Sequence, residues 1–267
     1  MIYDTFPLTI DGVDVRLAYH RRDGALPPLV SLHGFGSTKE DYADLAQRPD
    51  FAGRGLIAWD APGCGASTVS DPEALSIPFL VKVAQAALEA LGVQQFHLSG
   101  HSMGGLTALL LAQAQPDHVL SFGNIEGNIA PEDCFLSRQI ISHPAGTPEA
   151  FMTGFIERVR TRPEFASALY AAALPIKVQA ASFKPIFTSM VEISDSEPLT
   201  EIFGRLTMPR AFVHGAQNSH LSYLPKLPEL GVKVVEISDA GHFPMYSNPP
   251  ALWQAMAALI AQAEAPQ

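Results

Sequence analysis

The chain has 267 residues, 47% of them hydrophobic and 16% charged, a composition that fills a sizeable core and excludes a disordered chain. Its net charge of −10 argues against nucleic acid and anionic membrane surfaces as partners, and no apolar run approaches the ~18 residues that span a bilayer. Cys64 and Cys134 are too few for a disulfide framework, and Met1-Ile2-Tyr3-Asp4 lacks the basic and apolar regions of a signal peptide, so free thiols and a cytoplasmic location are expected.

Phe6 to Ile10 and Val13 to Tyr19 alternate around Asp11-Gly12, which predicts a hairpin. After Pro27-Pro28, Leu29 to Leu32 reads as a buried strand running into His33-Gly34-Phe35-Gly36-Ser37. Thr38 to Gln47 reads as a short helix with acidic early turns, and Leu56 to Trp59 as a second short strand ending in Asp60-Ala61-Pro62-Gly63-Cys64-Gly65-Ala66-Ser67. Ile77, Leu80, Val81, Ala84, Leu88 and Leu91 fall at helical spacing, closed by Gly92. The apolar run Phe96 to Ser99 follows, then Gly100-His101-Ser102-Met103-Gly104-Gly105, a helix from Leu106 to Ala114 and a strand from Val119 to Ile125.

Between Gly127 and Leu206 the rhythm changes. The pattern there is helical and loop-like, broken by Pro131, Pro144, Pro148, Pro163, Pro175 and Pro185, without a clear strand. Alternation resumes with Arg210 to His214, Val232 to Ser238 and a final helix from Pro250 to about Ala263, whose Leu252, Met256, Leu259 and Ile260 suit docking on a sheet. Short apolar strands alternating with helices predict an α/β fold, a mostly parallel sheet with helices on both faces. The expected division is a core of residues 1–126 and 207–267 with a helical cap inserted over 127–206.

A G-x-S-x-G between a strand and a helix has the form of a nucleophile elbow. Ser102 stands on a sharp turn, and glycines two residues to either side let strand and helix approach closely enough to make it. The three fixed positions recur by chance in about one chain in ten of this length, so context decides. His33-Gly34-Phe35-Gly36, Asp60-x-Pro-Gly-x-Gly-x-Ser67, the GHSMGG run and Ala240-Gly241-His242-Phe243-Pro244 occur in the order found in the α/β-hydrolase superfamily. The chain resembles that superfamily over nearly its whole length outside 127–206. The resemblance implies an α/β-hydrolase fold and a covalent serine mechanism.

A neutral serine hydroxyl needs a base. His242 follows a predicted strand, precedes the last helix and comes after Ser102, the order this fold requires. The other histidines take duller roles: His20, His97, His118, His143 and His220 as surface or packing residues, His33, His101 and His214 as hydrogen-bonding members of the site loops. The acid departs from the commonest pattern. Where most relatives carry His-Gly-x-x-Asp after the cap, this chain reads His214-Gly215-Ala216-Gln217-Asn218, and an amide supplies no negative charge. The strand before the cap ends in Asn124-Ile125-Glu126-Gly127-Asn128. Some haloalkane dehalogenases of similar fold place a catalytic Glu on that strand, although their nucleophile is Asp and dehalogenation is not implied here. Glu126 is therefore assigned as the orienting acid. Asp239 is the next candidate, with a turn-stabilising side chain as its plainer role, and Asn218 as a neutral orienter is the third.

By the same resemblance, the backbone N–H groups of Phe35 and Met103 form the oxyanion hole. Asp60 is expected to brace its own loop. Phe135, Phe151, Met152, Phe155, Phe165, Tyr170, Phe183, Phe187 and Met190 give the cap an apolar interior that packs the cap or lines a pocket. Arg158, Arg160 and Arg162 are either anchors for an anionic substrate group or a solvated face. No H-E-x-x-H, P-loop or dinucleotide fingerprint is present, so neither metal nor organic cofactor is expected. The first reading is a serine hydrolase acting on a carboxylic ester or related acyl compound with an apolar part. Alternatives are a carbon–carbon bond hydrolase, a cofactor-free dioxygenase using a His242-Glu126 dyad on a hydroxy-heteroaromatic, and a non-catalytic ligand receptor. Oligomeric state and substrate are not legible.

Overall fold

The computed structural model describes residues 1–142, 147–163 and 165–266. His143 and Pro144 lie outside them. The hairpin forms as expected, with strands β1 (Ile2–Ile10) and β2 (Val13–Arg22) paired antiparallel through a turn in which Asp11 and Gly12 both take positive φ. There follow β3 (Leu26–Leu32), β4 (Arg54–Trp59) and the two-residue β5 (Thr68–Val69), which pairs with β2. The segment Lys39–Gln47, expected as a helix, is built of 3₁₀ turns. Helix α1 (Ile77–Ala90) begins at Ser76, whose hydroxyl accepts from Phe79 N–H as an N-cap.

Next come β6 (Phe96–His101), α2 (Met103–Ala114) and β7 (Val119–Ile125). Helices α3 (Phe135–Ile141), α4 (Pro148–Arg160), α5 (Ser167–Lys177), α6 (Ala180–Ser196) and α7 (Leu199–Arg205) fill the interval before β8 (Arg210–Gly215). Strand β9 (Lys233–Ile237), the short α8 (Pro244–Ser247) and α9 (Pro249–Glu264) complete the chain.

The sheet runs β1-β2-β4-β3-β6-β7-β8-β9 and is parallel from β4 to β9. Helices α1 and α2 cover one face, and α9 packs Leu252, Trp253, Met256, Leu259 and Ile260 on the other beside Ile125 and Val213. Helix α2 is apolar nearly all round because it lies between the sheet and α1. In this arrangement the carboxyl ends of β3, β6, β7 and β8 open on the same side of the molecule, where open α/β sheets bind ligands.

Two prolines expected to interrupt the segment before β8 lie inside helices: Pro175 in α5 and Pro185 in α6. Each removes a helical hydrogen bond. In α6 the cost of roughly 3 kcal/mol is offset by burial of Phe183, Ile186, Phe187 and Met190 along one face, at ~1.5–3 kcal/mol each. Packing, not local propensity, decides the helix.

Candidate active site

Ser102 sits at the junction of β6 and α2 with φ 53° and ψ −120°. That conformation costs a non-glycine residue of order 1–3 kcal/mol and persists only where its surroundings fix it. Here they do: Ser102 N–H donates to Ile125 O on β7 at 3.1 Å, and its carbonyl accepts from Gly105 N–H at 2.8 Å. The flanking glycines serve close approach. A Cβ on Gly100 would lie 2.3 Å from Gly104 O, and one on Gly104 would lie 2.4 Å from Leu32 O.

His242 lies on the loop between β9 and α8 and turns Nδ1 toward Glu126 Oε2 at 3.4 Å. Its side chain is half exposed, whereas that of Glu126 is buried. Glu126 follows β7 directly and takes positive φ, with its N–H donating to Val213 O of β8 at 2.9 Å. Its Oε1 accepts from Gly215 N–H at 2.6 Å and its Oε2 from Asn218 Nδ2 at 2.8 Å. The three acid candidates of the sequence thus fall in separate places. Glu126 faces the histidine, Asn218 binds Glu126, and Asp239 lines the same cavity without a hydrogen bond to His242 among the described residues.

The supporting histidines have defined partners. His101 is fully buried, and its Nε2 donates to His242 O at 2.7 Å, tying the histidine loop to the elbow strand. Burial, followed by the nearby His242, holds the His101 ring well below the usual histidine range, so it stays neutral. His33 Nε2 accepts from Ala61 N–H at 2.8 Å, linking the two glycine-rich loops. Asp60 is fully buried and braces its loop as expected: it accepts from Lys39 Nζ at 2.8 Å, Lys39 N–H at 2.9 Å and Ala66 N–H at 2.9 Å. Both thiols are free and buried, and burial pushes Cys64 up to about 12.

Ser102, His242 and Glu126 open together into a cavity of about 620 Å³. Helices α4 and α6 supply an apolar wall of Phe155, Phe187 and Met190, to which Tyr170 and the exposed Phe135 and Phe165 add. Phe151, Met152 and Phe183, grouped with them in the sequence, are buried packing residues. Phe35 lines the cavity with its ring against Phe155, Phe183 and Phe187, and its carbonyl accepts from Tyr170 OH at 3.1 Å. As the first residue of α2, Met103 has no intrahelical acceptor for its N–H.

Arg158 and Arg162 reach the cavity, the former stacked over Phe151 and Phe155, whereas Arg160 pairs with Glu157 at 3.0 Å. His220, read as surface or packing, also reaches the cavity. The Asn218 to Glu126 bond and the Tyr170 tie to Phe35 are features the sequence reading missed. The first had a signal, the amide standing in the usual acid position four residues past His214; the second had none in the sequence.

Among the described residues no group of three or more His, Cys, Asp or Glu side chains converges as a metal-ligand set. No helix among them is long and apolar enough to cross a membrane. A model of the alpha/beta hydrolase fold family matches residues 27–175. The chain is 37% identical over 99 residues to a proline iminopeptidase of Lactobacillus delbrueckii subsp. bulgaricus, a match covering 35% of this chain and 34% of that protein. It is 32% identical over 111 residues to a 2-hydroxy-6-oxononadienedioate/2-hydroxy-6-oxononatrienedioate hydrolase of Paraburkholderia phymatum, covering 40% and 38% respectively. The chain therefore spans little more than a third of the length of these curated relatives. The solved structure of N-acyl homoserine lactonase AidH complexed with N-butanoyl homoserine superposes with a TM-score of 0.79 at 18% identity, covering 100% of this chain and 99% of that one. That likeness shows the fold.

Proposed function

The chain belongs to the alpha/beta hydrolase fold family, and from that premise we propose that it is a serine hydrolase cleaving a carboxylic ester or related acyl compound. The observation that carries the reading is that a strained, elbow-held Ser102 opens into the same cavity as a His242 whose Nδ1 faces a buried carboxylate 3.4 Å away. In this reading Ser102 Oγ attacks the acyl carbon and His242 Nε2 takes its proton. The imidazolium so formed is stabilised by Glu126 through Nδ1–H. Negative charge on the acyl oxygen is met by Phe35 N–H and Met103 N–H, donors fixed before reaction and worth about 3–4 kcal/mol each. His242 then protonates the leaving alcohol, activates a water and returns the proton to Ser102 as the acid product departs.

The helices between β7 and β8 act as a cap in this account, and the space beneath them selects substrates. A cavity of about 620 Å³ with phenylalanine and methionine walls suits an ester with a sizeable apolar part. Turnover of p-nitrophenyl esters of increasing acyl length tests this. Hydrolysis that is abolished by Ser102→Ala and rises from acetate to longer chains supports the reading. Absence of turnover on every ester overturns it.

A second reading, carbon–carbon bond hydrolysis, is favoured by Arg158 at the cavity and by the similarity to the Paraburkholderia hydrolase. Release of a carboxylate from a vinylogous diketone, without ester turnover, would establish it.

A further inference from the structure

The loop of residues 33–37 is pinned from two sides. On the core side, His33 Nε2 accepts from Ala61 N–H at 2.8 Å, so the ring proton lies on Nδ1, which donates to Gly34 O at 2.8 Å. Ser37 N–H donates to the same oxygen at 3.2 Å. Gly34 O and Phe35 N–H belong to one planar trans peptide and point opposite ways, so these two bonds also aim the Phe35 N–H. That N–H has no acceptor among the described residues.

The next carbonyl is held from α5. Tyr170 donates its hydroxyl to Phe35 O at 3.1 Å. Gly36 takes φ 76°, and a Cβ there would overlap the Tyr170 ring, so the ring lies directly on the backbone of the turn. Glycine takes either sign of φ, and the Phe35–Gly36 peptide therefore has no steric reason of its own to stay in place. Burial holds the Tyr170 phenol above the usual tyrosine range, which keeps it a donor.

Helix α5 is itself fixed to the core at its far end. Lys177 Nζ meets Asp41 Oδ1 at 3.0 Å, Lys177 O accepts from Gly65 N–H at 2.9 Å, and Gln179 N–H donates to Gly63 O at 3.0 Å. The Tyr170 ring also rests on Phe243, the neighbour of His242, with centroids 5.0 Å apart. One side chain thus touches both the loop that bears Phe35 and the loop that bears His242.

We propose that Tyr170 is a positioning residue for the oxyanion hole: through Phe35 O, it holds the Phe35 N–H where negative charge develops on the acyl oxygen. The catalytic consequence rests on the hydrolase reading, whereas the tie between α5 and the loop does not. The sheet core alone then leaves the hole unfinished, and a helix that shapes the cavity completes it.

Two variants separate this role from simple docking of the helix. Tyr170→Phe keeps the ring and removes the hydroxyl, and Lys177→Met loosens the same helix without touching residues 33–37. Each is compared with wild type in p-nitrophenyl butyrate turnover, in inhibition by a hexyl trifluoromethyl ketone, and in amide hydrogen exchange of the loop. With the ketone, Ser102 Oγ adds to the carbonyl carbon, its proton passes to His242, and the π pair moves onto the oxygen that Phe35 N–H meets. In Tyr170→Phe, kcat should fall roughly tenfold, between the loss of one neutral hydrogen bond and that of an oxyanion donor. KM should hold, and affinity for the ketone should fall in step with kcat, since both report the charged oxygen. Exchange at residues 35–37 should quicken in this variant alone, and Lys177→Met should keep kcat and ketone affinity. The proposal is overturned if Tyr170→Phe keeps its kcat, if its loss lies in KM, if loop exchange is unchanged, or if Lys177→Met loses as much. A wild type that turns over no ester and takes no ketone, with the loop still loosened in Tyr170→Phe, would remove the hydrolase reading and uphold the tie.

Discussion

Asn218 Nδ2 donates to Glu126 Oε2 at 2.8 Å, on the same oxygen that faces His242 Nδ1 at 3.4 Å. An amide at the end of β8 therefore holds in place a carboxylate from the end of β7. Replacing it by alanine removes a hydrogen bond to a charged group, and the proposed mechanism expects kcat to fall roughly ten- to a hundredfold. Asn218→Asp does something different. Two carboxylates at this distance share a proton, and once both ionise their field favours the imidazolium of His242. The acid limb of kcat/KM should then move to higher pH in Asn218→Asp and stay in place in Asn218→Ala.

Glu126→Gln keeps the size of the side chain but loses its charge. If Glu126 stabilises the imidazolium, kcat falls by about three to four orders of magnitude with the fold intact by circular dichroism. A near-wild-type rate would transfer the role to Asp239 or leave Asn218 as the sole orienter.

The early loop leaves no room for a methyl group. A Cβ on Gly34 would lie 2.8 Å from His101 Nδ1 and 2.8 Å from Ser102 Cβ, closer than van der Waals contact allows. Gly34→Ala must shift either the elbow or the loop that carries Phe35. Kinetics should show a loss of about a hundredfold in kcat, the effect of a misplacement near 1 Å, and thermal unfolding a destabilisation of about 1–3 kcal/mol.

Buried histidines set the acid side of stability. Burial lowers His20 and His97 from 6.5 to about 4, and His33 and His101 are lowered as well. A histidine lowered in the folded state binds fewer protons there than in the unfolded chain. Its stabilising contribution is complete above pH 6.5 and is lost as pH falls toward about 4. Asp133 acts in the opposite sense: burial raises it from 3.8 to about 6, so its contribution is lost as pH rises through that range. Four histidines outweigh one carboxyl, and urea unfolding should show stability declining from pH 6.5 to 4. His97→Gln should flatten that slope, and Asp133→Asn should steepen it.

Much of this arrangement was legible beforehand because it depends on local pattern. The strand-elbow-helix at Ser102 is written in glycine spacing and apolar runs, and the order of His33, Ser102 and His242 follows the chain. Glu126 was singled out by its position at a strand end. What the chain order hides is lateral contact between neighbouring strands. Asn218 reaches Glu126 because β7 and β8 are adjacent and parallel, and His101 anchors His242 across 141 positions of sequence. The continuous helices through Pro175 and Pro185 were illegible for a related reason, since packing supplies what the missing N–H groups withhold. Leu169 and Ile176 of α5 repeat at the same period as a buried face, yet both are exposed, and only the fold shows which side is bare.

The central claim is that Ser102 is a nucleophile activated through His242 and Glu126. Its most direct test is intact and peptide mass spectrometry after exposure to a fluorophosphonate, beside p-nitrophenyl butyrate turnover, in wild type, Ser102→Ala and Glu126→Gln. The account predicts one phosphonyl adduct, on Ser102, absent from Ser102→Ala and formed far more slowly in Glu126→Gln, with nitrophenol release lost in step. An unlabelled wild type without ester turnover, or an adduct on any other residue, would contradict it.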